Sequence, residues 1–407
     1  MIPGLFSNIR VIDLTTDVAG PFATKLFADY GADVIKVEPI SGDISRQMGP
    51  FHQDDPHPEK SLSFLFLNCN KRGVTLNLET NLGQKILREL IKDADLLIEN
   101  NPPGYMEKLG LGYSDLEKIN SNLVMTSITP FGQTGPYKDF SGNDLIYYAF
   151  GGQMYISGAY DREPLKHGTP QSLYLGGMVA AYSTAGALFA RRALGSGQYI
   201  DLSLSEVMAA DQFQTIVRYG FSGEVTRRSP KSDAGDPKGT TFNGIVPAKD
   251  GYIRLSASPP NRLYPRSGGT PWKEYADILG KPELGEQLEN NNNTADRDKI
   301  LLPVISDIPK FEYFHNLMTK DWNAAVVQTP EDLSTCPHLE ERNYFTEIEH
   351  PVVGKIRFPG EIIKFPESPW DLRLPAPLLG QHNSVVYGEE LGYSEKDIVQ
   401  LKQMGSI

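Results

Sequence analysis

The first part of the chain alternates between apolar runs and amphipathic stretches, a pattern that predicts strands and helices in turn. Residues 11–14 form a short apolar run typical of a buried parallel strand. Gly20 and Pro21 mark a helix start, where proline loses no needed N–H group. Residues 34–37 form the next apolar run. This order predicts a right-handed βαβ unit, and most of the following chain repeats it.

The same reading predicts the later elements. Residues 61–80 are predicted to form a strand pair around the basic turn at Lys71, and further strands are expected at 96–98, 123–128 and 199–204. A long helix is predicted for about 172–194. Its segment 173–190 is uncharged and rich in Gly, Ala, Ser and Thr. Such a composition favours a helix buried among close neighbours over one in lipid.

A change of composition divides the chain. Residues 224–244 are charged and rich in Gly and Pro, which is typical of a linker. We therefore predict an α/β protein with a Rossmann-like large domain that begins with residues 1–223 and a small α+β domain at 245–330. Residues 331–407 are predicted to form a return linker and the C-terminal part of the large domain.

Charge and cysteine content narrow the function classes. The 407 residues carry a formal net charge of −12, which disfavours nucleic acid as a partner. The two cysteines are too few for a disulfide scaffold and fit a reducing compartment. The first ten residues lack the basic start and apolar core of a signal peptide. We therefore expect a cytoplasmic protein that does not interact with a membrane.

The usual nucleotide signatures are missing after the first strand. No G-x-G-x-x-G motif follows it, which argues against an NAD enzyme, and no G-K-[ST] triplet forms a P-loop. The helix start near Gly20 could hold an anion through free N–H groups. A plain structural turn explains the same residues equally well.

Eight motifs are spread along nearly the whole chain. They are V-I-D-L-T-T-D-V-A-G-P-F, G-A-D-V-I-K-V-E-P, N-C-N-K-R-G-V-T-L-N-L, D-A-D-L-L-I-E-N-N-P-P-G, S-I-T-P-F-G-Q-T-G-P-Y, G-S-G-Q-Y-I-D-L-S-L, H-L-E-E-R-N-Y-F and A-P-L-L-G-Q-H-N. In this order they resemble the motifs of the class III (CaiB/BaiF-type) CoA-transferases, a family that also contains 2-methylacyl-CoA racemases. Each motif is weak by itself, but together they are specific.

The resemblance implies a fold and a mechanism. Family members build a large domain from both chain ends and join it to the small domain by two linkers, which gives a ring that interlocks with a second subunit. In the transferases an Asp carboxylate attacks the acyl-CoA thioester and forms a mixed anhydride. Backbone N–H groups stabilise the oxyanion. CoA thioesters are substrates, and no cofactor is expected to stay bound.

This chain departs from the family at the nucleophile. The family Asp lies four residues before a glycine and twenty-five before the glutamine of the G-x-G-Q turn, which here are Gly177 and Gln198. That position is Leu173. No Asp or Glu lies between Pro164 and Ile200, so a small shift of the alignment does not supply one. The chain alone is therefore predicted to be inactive.

The racemase chemistry is also disfavoured. Racemases use the same Asp together with the His of a G-H-D triplet, and this chain has Asn143 before Asp144. Asparagine is not a proton-transferring base, and a cap at a helix entry explains Asp144 better than a catalytic role. Other acyl-side positions differ too: the loop after the first strand has Thr16, Asp17 and Val18, and Pro39 stands where a basic residue is common.

Features of the CoA side are better preserved. The resemblance implies that CoA is contacted by a strand end at 76–79 and by the loop that begins at Asn100. It also implies contacts from the basic residues Arg46 and Lys108, for which a solvated surface charge is the alternative. The predicted CoA-binding residues are Arg46, Leu76, Asn77, Leu78, Glu79, Asn100 and Lys108. His382 is expected to be structural. Cys69 and Cys336 lack metal-ligand spacing, so no metal site is predicted.

Three hypotheses follow. The first is a non-catalytic subunit of a heteromeric class III CoA-transferase whose paralogous partner supplies the Asp. Within the family, the chain looks most like the Asp-lacking subunit of the succinyl-CoA:(R)-benzylsuccinate enzyme of anaerobic toluene degradation. The second is a CoA-binding or scaffold protein without a transferase role. The third is a homodimeric enzyme that uses another residue, such as Asp144. The residues leave the acyl donor and acceptor open, as well as the choice between heterodimer and heterotetramer.

Overall fold

The computed structural model describes residues 4–159, 161–228, 245–254, 271–291, 294–320 and 322–407. The chain separates into two compact units. Unit 1 comprises Met1–Gln153, His167–Phe213 and His338–Ile407, and unit 2 comprises Met154–Lys166 and Gln214–Pro337. Residues 154–166, which the sequence prediction placed in the large domain, thus group with the smaller unit. The predicted linker at 224–244 lies outside the described residues from 229 onward.

Unit 1 contains a six-stranded sheet whose neighbouring strands are all parallel, in the order β3-β2-β1-β4-β5-β6. The strands are β1 (Arg10–Leu14), β2 (Asp33–Glu38), β3 (Lys71–Thr75), β4 (Leu96–Glu99), β5 (Val124–Thr129) and β6 (Tyr199–Ser203). The helices of this part of unit 1 are α1 (Ala19–Asp29), α2 (Leu62–Leu67), α3 (Asn81–Ile91), α4 (Tyr105–Lys108), α5 (Tyr113–Leu116), α6 (Asp144–Phe150), α8 (Gln171–Leu194) and α9 (Leu204–Ala210). Helices α7 (Gln153–Ile156) and α10 (Phe213–Ser222) belong to unit 2 apart from their first residues.

The central strands are apolar because both faces of the sheet are covered. Ile12 pairs with Ile35 on one side and with Leu97 on the other, and all three side chains are fully buried. Residues of α3 and of the C-terminal helix pack with them in one core cluster. The continuous apolar runs in the sequence therefore reflect a parallel sheet buried on both faces.

Small residues bring α8 close to α1. A Cβ atom at Gly177 would lie 2.5 Å from the carbonyl oxygen of Ala19, so glycine permits this approach. The rings of Phe22 and Tyr174 meet edge to face at 5.0 Å between centroids. By length and composition, α8 is the only described helix that could cross a membrane, which is weak evidence of a span. Its packing on α1 supports the core helix that the sequence predicts.

The strand pair predicted for residues 61–80 is wrong. Ser61 accepts a hydrogen bond from the N–H of Phe64 and begins helix α2, so the apolar residues before Lys71 are helical. Lys71 itself is the first residue of strand β3 and is fully buried. The alternation in S-L-S-F-L-F-L resembled that of a strand. In the structure β3 pairs only with β2, and the cap at Ser61 favours a helix in the segment before β3.

The C-terminal part of the chain returns to strand β3. Tyr387 donates a hydrogen bond to the carbonyl of Thr75 (2.9 Å), and the N–H of Thr75 donates to the side chain of Asn383 (2.9 Å). These contacts complete unit 1 from both chain ends. The elements here are α16 (Pro337–Glu341), which begins at the end of unit 2, the antiparallel pair β10 (Phe345–His350) and β11 (Gly354–Pro359), a π-helix (Ser384–Glu390) and α17 (Glu395–Gln403).

Unit 2 combines a small antiparallel sheet with helices, as predicted for an α+β domain. Its core includes the buried rings of Tyr275, Tyr313 and Trp322. The hydroxyl groups of the two tyrosines lie 3.0 Å apart. The strands, in the order β7-β8-β9, are β7 (Ile245–Ala248), β8 (Gly251–Arg254) and β9 (Ala325–Val327), and the helices are α11 (Trp272–Ile278), α12 (Gly285–Asn290), α13 (Thr294–Ser306), α14 (Lys310–Met318) and α15 (Pro330–Ser334).

Candidate functional site

The candidate site lies where the strand order reverses, at the carboxyl ends of β1 and β4. From β1 the chain proceeds to β2 on one side, while β4 continues to β5 on the other, so a crevice forms between their loops. Asn100 joins the two loops. It accepts a hydrogen bond from the N–H of Thr16 and donates one to the Thr16 carbonyl, both at 2.9 Å. The amide side chain therefore fixes the backbone after β1.

A buried ion pair supports the same loop from below. The ammonium group of Lys36 donates to the Thr15 carbonyl and to Asp43, each at 2.6 Å. Asp43 also accepts a hydrogen bond from the N–H of Asp17 (3.1 Å). The side chains of Lys36 and Asp43 are completely buried. Burial alone would lower the pKa of Lys36, but the carboxylates of Asp43, Asp13 and Glu38 outweigh it and raise the pKa. The pair therefore stays charged.

A second buried pair lies beside the first. The Lys71 ammonium group contacts Asp13 at 3.0 Å and donates to the Pro21 carbonyl and the Asn68 side chain, both at 2.9 Å. Burial lowers the pKa of Lys71 to about 8, against the opposing effect of Asp13. Burial alone would raise the pKa of Asp13, yet Lys71 and Lys36 hold it below its ordinary value. Lys71, the lysine of the N-C-N-K-R-G motif, therefore has a structural role.

Asp17 is an unusual residue of this loop. Its backbone has a φ of 70°, in the left-handed region that few residues other than glycine adopt. Burial, followed by the charges of Asp43 and Asp144, raises its pKa to about 6. Among the described residues, its carboxylate has neither a hydrogen-bond donor nor an ion-pair partner. The loop therefore carries an acid whose ionisation is opposed by its surroundings.

A cleft with a volume of about 570 Å³ opens at the carboxyl ends of these strands. One set of lining residues is apolar and consists of Leu14, Val37, Pro39, Ile40, Leu76 and Leu78. The other offers polar groups or an aromatic ring and consists of Thr16, Ser41, Asn77, Glu79, Asn101 and Tyr105. An apolar cleft with a few polar groups at a strand-order reversal is the usual form of a site for a nucleotide-containing ligand.

The structure brings most of the sequence-predicted CoA residues to this cleft. All four strand-end residues, Leu76, Asn77, Leu78 and Glu79, line it. Asn100 holds the neighbouring loop, while Asn101 reaches the lining. Lys108 is exposed at the last position of α4, the helix that begins at Tyr105.

Arg46 has a different place from the one predicted. Its side chain is buried, and its guanidinium group donates to both carboxylate oxygens of Glu38 (2.7 and 2.8 Å), to Glu59 (2.7 Å) and to the Pro377 carbonyl (3.0 Å). It also lies over the ring of Phe64, 3.7 Å from its centroid. With these partners the group is not free for a CoA phosphate. We correct its predicted role to a structural one.

Tyr105 was not identified from the sequence. Its hydroxyl group donates a 2.7 Å hydrogen bond to the carboxylate of Glu79, so the loop after β4 is bonded to the segment after β3. Burial, followed by the hydrogen bond and charge of Glu79, raises the pKa of Tyr105 to about 12. An aromatic residue after P-P-G at the end of a buried strand was the available signal.

The loop that carries Asn101 and Tyr105 is anchored by a buried acid. One carboxylate oxygen of Glu99 accepts hydrogen bonds from the backbone N–H of Asn101 (2.7 Å) and from its side chain (3.0 Å). Burial is the main cause that raises the pKa of Glu99, against the hydrogen bonds of Ser127 and Asn101. The E-N-N motif thus supports the shape of the cleft.

Leu173 is the third residue of α8 and is 8% exposed. Just before it, Ser172 donates from its N–H and its hydroxyl group to the same oxygen of Asp144, at 3.0 and 2.6 Å. Asp144 therefore satisfies a free N–H group at the start of α8. An apolar side chain occupies the position where the resemblance places a nucleophile, beside a carboxylate that serves as a cap.

The G-N-D triplet also has structural roles. Asn143 accepts a hydrogen bond from the N–H of Ile146 (3.1 Å) and caps α6. A Cβ atom at Gly142 would lie 2.3 Å from the ring of Tyr147, so this turn requires glycine. The predicted capping role of Asp144 is fulfilled on α8 rather than on its own helix.

The remaining candidates are structural. His382 exchanges backbone and side-chain hydrogen bonds with Gly73 (2.9 and 3.0 Å). Cys69 is buried, and burial raises the pKa of its thiol to about 11. Cys336 is a half-buried free thiol just before helix α16. Within the described part of the chain, no group of three or more His, Cys, Asp or Glu side chains is placed to hold a metal ion.

The strand order and the cleft define a Rossmann-like α/β protein. A family model described as CoA-transferase family III matches residues 6–383, and the chain belongs to this family. CoA thioesters are the substrates of such enzymes. The family and the α/β fold predicted from the sequence are therefore confirmed.

Individual relatives cover nearly the whole chain. The succinyl-CoA:(R)-benzylsuccinate CoA-transferase subunit BbsE of Thauera aromatica is 32% identical, over 99% of this chain and 98% of that subunit. The succinyl-CoA–L-malate CoA-transferase beta subunit of Chloroflexus aurantiacus is also 32% identical, over 97% and 96%. The crystal structure of a CaiB/BaiF family protein from Brucella suis superposes with a TM-score of 0.81 at 27% identity, covering 95% of this chain and 99% of that one.

Proposed function

We propose that this chain is the non-catalytic subunit of a heteromeric class III CoA-transferase. The observation that carries the proposal is Leu173: an apolar, buried residue stands at the start of α8, and no carboxylate lies between Pro164 and Ile200. A paralogous partner supplies the Asp that attacks the thioester. Two relatives, the subunit from Thauera and the one from Chloroflexus, are themselves named as subunits of CoA-transferases, which supports a heteromer.

The reaction transfers CoA from an acyl-CoA such as succinyl-CoA to a carboxylic acid. (R)-Benzylsuccinate, an intermediate of anaerobic toluene degradation, is the acceptor we favour, because the Thauera relative is named for it. The partner's carboxylate attacks the thioester, which gives a mixed anhydride and releases CoA as its thiolate. The acceptor carboxylate then displaces the donor acid from the anhydride. The CoA thiolate attacks the acceptor's acyl carbon, which forms the new thioester and frees the partner's carboxylate. This chain contributes a CoA-shaped cleft and the surface on which its partner folds, and the complex works in the cytoplasm.

An interlocked assembly explains why a subunit without chemistry is retained. Large apolar side chains are exposed on its helices, among them Tyr182 (81%) and Phe189 (77%) on α8 and Phe221 (90%) on α10. Obligate interfaces bury upwards of roughly 2,000 Å² and are rich in such residues. We propose that the partner covers these surfaces and that two linkers close the ring around it.

The alternatives differ in testable ways. A homodimeric enzyme based on Asp144 is disfavoured, because that carboxylate accepts two hydrogen bonds from Ser172 and caps α8. A CoA-binding scaffold without a transferase role explains the cleft but requires no partner. Coexpression distinguishes these cases. Our proposal expects a stable complex with an Asp-bearing paralogue, whereas a well-folded monomer at low micromolar concentration would contradict it.

Activity provides the decisive test. The purified chain, incubated with succinyl-CoA and (R)-benzylsuccinate, is expected to produce no second thioester, while the complex is expected to produce one. Replacing the partner's nucleophilic Asp by Asn should abolish activity of the complex, whereas Asp144→Asn in this chain should not. Turnover by this chain alone would refute the assignment.

A further inference from the structure

The carboxylate of Asp17, in the loop after β1, is half-buried and has no counterion among the described residues. Lys36, the cation beneath this loop, is bound to Asp43 at 2.6 Å. Asp43 and Asp144 are the charges that act on Asp17, and both oppose its ionisation. The described surroundings of Asp17 therefore lack the positive charge that would complement it.

A stripe of aromatic and apolar side chains on α8 begins beside this loop. Tyr174 packs edge to face on Phe22, in the first turn of the helix that follows Asp17, with 5.0 Å between ring centroids. Burial, followed by the charge of Asp17, raises the pKa of Tyr174. At four-residue spacing the stripe continues through Met178 and Tyr182, which are 42% and 81% exposed. We call Tyr174, Met178 and Tyr182 the α8 stripe.

A guanidinium group matches both the carboxylate and the ring at the start of the α8 stripe. It pairs with a carboxylate through two parallel N–H bonds, and its flat face stacks on an aromatic ring. Arginine is enriched at protein interfaces, together with aromatic residues and methionine. A small free cation would satisfy Asp17 but would leave Met178 and Tyr182 exposed. A protein surface that carries an arginine accounts for both features.

We propose that an arginine of the partner subunit pairs with Asp17 and stacks on the Tyr174 ring where the partner covers the α8 stripe. The inference rests on the proposed function, because it requires the heteromer. It gives Asp17 a role in assembly and names the chemistry that the partner must present at this point.

The substitution Asp17→Asn tests the pair, because it should act in opposite directions on the chain and on the complex. In the chain alone it removes an unfavourable charge and should raise the melting temperature at pH 8. In the complex it leaves the arginine without its carboxylate and should lower the melting temperature by at least about 2 °C. An unchanged or higher melting temperature of the complex would overturn the inference.

A double-mutant cycle identifies the arginine. Each arginine of the partner subunit is replaced by Met in turn, and the complex is melted with the parent chain and with Asp17→Asn. One replacement should destabilise the parent complex and have little further effect on the Asp17→Asn complex, because the two side chains form a single interaction. If no arginine is coupled to Asp17 in this way, the inference is wrong.

Asp93→Asn provides the matched control. Asp93 is exposed between α3 and β4, at the amino end of the strands and therefore away from the loop after β1. This variant should leave both melting temperatures within about 1 °C of the parent values.

The outcomes separate the inference from the proposed function. If the parent chain forms no complex with an Asp-bearing paralogue, both are refuted. If the complex forms and transfers CoA but is indifferent to Asp17→Asn, only the inference fails. A homodimer of this chain that Asp17→Asn destabilises would assign the arginine to a second copy and contradict the choice of partner.

Discussion

Two regions of the candidate site use their polar side chains in different ways. We call them the nucleotide side, which is the cleft at the ends of β1 to β4, and the acyl side, which comprises the loop after β1 and the residues around Leu173. On the nucleotide side, Asn77, Glu79 and Asn101 face a cleft of about 570 Å³. On the acyl side, Asn143 and Asp144 are hydrogen-bonded to helix starts, and Leu173 is buried. In this chain the polar groups at the strand ends thus face an open cleft, whereas those beside Leu173 are bound to the backbone.

The loop after β1, which lines the cleft at Thr16 and carries Asp17, rests on the buried ion pair of Lys36 and Asp43. Replacing Lys36 by Met leaves Asp43 buried without its cation, and the loss of one member of such a pair costs about 3–5 kcal/mol. We expect Lys36→Met to lower the free energy of unfolding by that amount in urea denaturation. CoA affinity should fall as well, because the Thr15 carbonyl loses its donor.

Lys118→Met serves as the control for this prediction. Lys118 is exposed and pairs with Asp115 at 3.4 Å, so its loss should change stability by less than about 0.5 kcal/mol. A similarly small effect of Lys36→Met would show that the buried pair does not support the loop after β1.

The acyl side can be challenged by restoring the missing carboxylate. Leu173→Asp removes a buried apolar side chain and places a charge near Asp144, so we expect a loss of about 2–4 kcal/mol at neutral pH. The positive end of α8 offsets only a small part of this. No transferase activity should appear, because Thr16, Asp17 and Val18 also differ from the family pattern.

Leu173→Asn separates the effect of charge from that of shape. It loses the same apolar contacts but carries no charge, so it should be the milder change at pH 8. The difference between the two variants should shrink as pH falls and the introduced Asp becomes protonated. Turnover by purified Leu173→Asp would contradict this prediction. It would mean that the acyl side lacks only the nucleophile at position 173.

The sequence predicted the strands and helices that long apolar runs specify. The runs at 11–14 and 96–98 are strands, and the small-residue stretch is helix α8, because burial on both sides of an element leaves a strong pattern. Helix α2 was missed, since in a segment of only six residues the cap at Ser61 outweighed the apparent alternation.

Contacts between distant residues left no local pattern. Arg46 was predicted to bind CoA, with a solvated surface charge as the alternative, but Glu38 and Glu59 surround it, and only the packed structure shows this. The hydrogen bond between Tyr105 and Glu79 likewise joins residues from different loops. The family resemblance located the cleft, whereas the partner of each polar side chain required coordinates.

The charge of Asp17 offers a pH-dependent test of the acyl side. Its folded-state pKa of about 6 exceeds its ordinary value of 3.8, so the folded state binds more protons between these values and stability falls as pH rises through them. The penalty is absent below about pH 4 and complete above about pH 6. Asp17→Asn removes it and should stabilise the chain by about 1–3 kcal/mol at pH 8 and by nearly nothing at pH 4.

Asparagine tolerates the left-handed backbone of this position, so the substitution adds no strain. Asp139→Asn, at an exposed position, should leave the pH dependence unchanged. Urea denaturation at several pH values measures both variants. If Asp17→Asn destabilises the chain at pH 8, the prediction is wrong, because the ionised carboxylate of Asp17 must then make a favourable contact in the folded state.

The smallest expected effect concerns the phosphates of CoA on the nucleotide side. Lys108 is exposed at the end of α4, the helix whose first residue, Tyr105, lines the cleft. An ammonium group at this position attracts a phosphate as a point charge, without the bidentate geometry of arginine. Because Lys108 is exposed, Lys108→Ala should weaken CoA binding by only about threefold to tenfold at low salt, and the difference should shrink at high salt.

Titration of CoA into the complex should show two binding events per heterodimer, of which Lys108→Ala weakens one, while Lys118→Ala weakens neither. A single event would mean that only the partner binds CoA and that the two sides of this chain's site have been lost together.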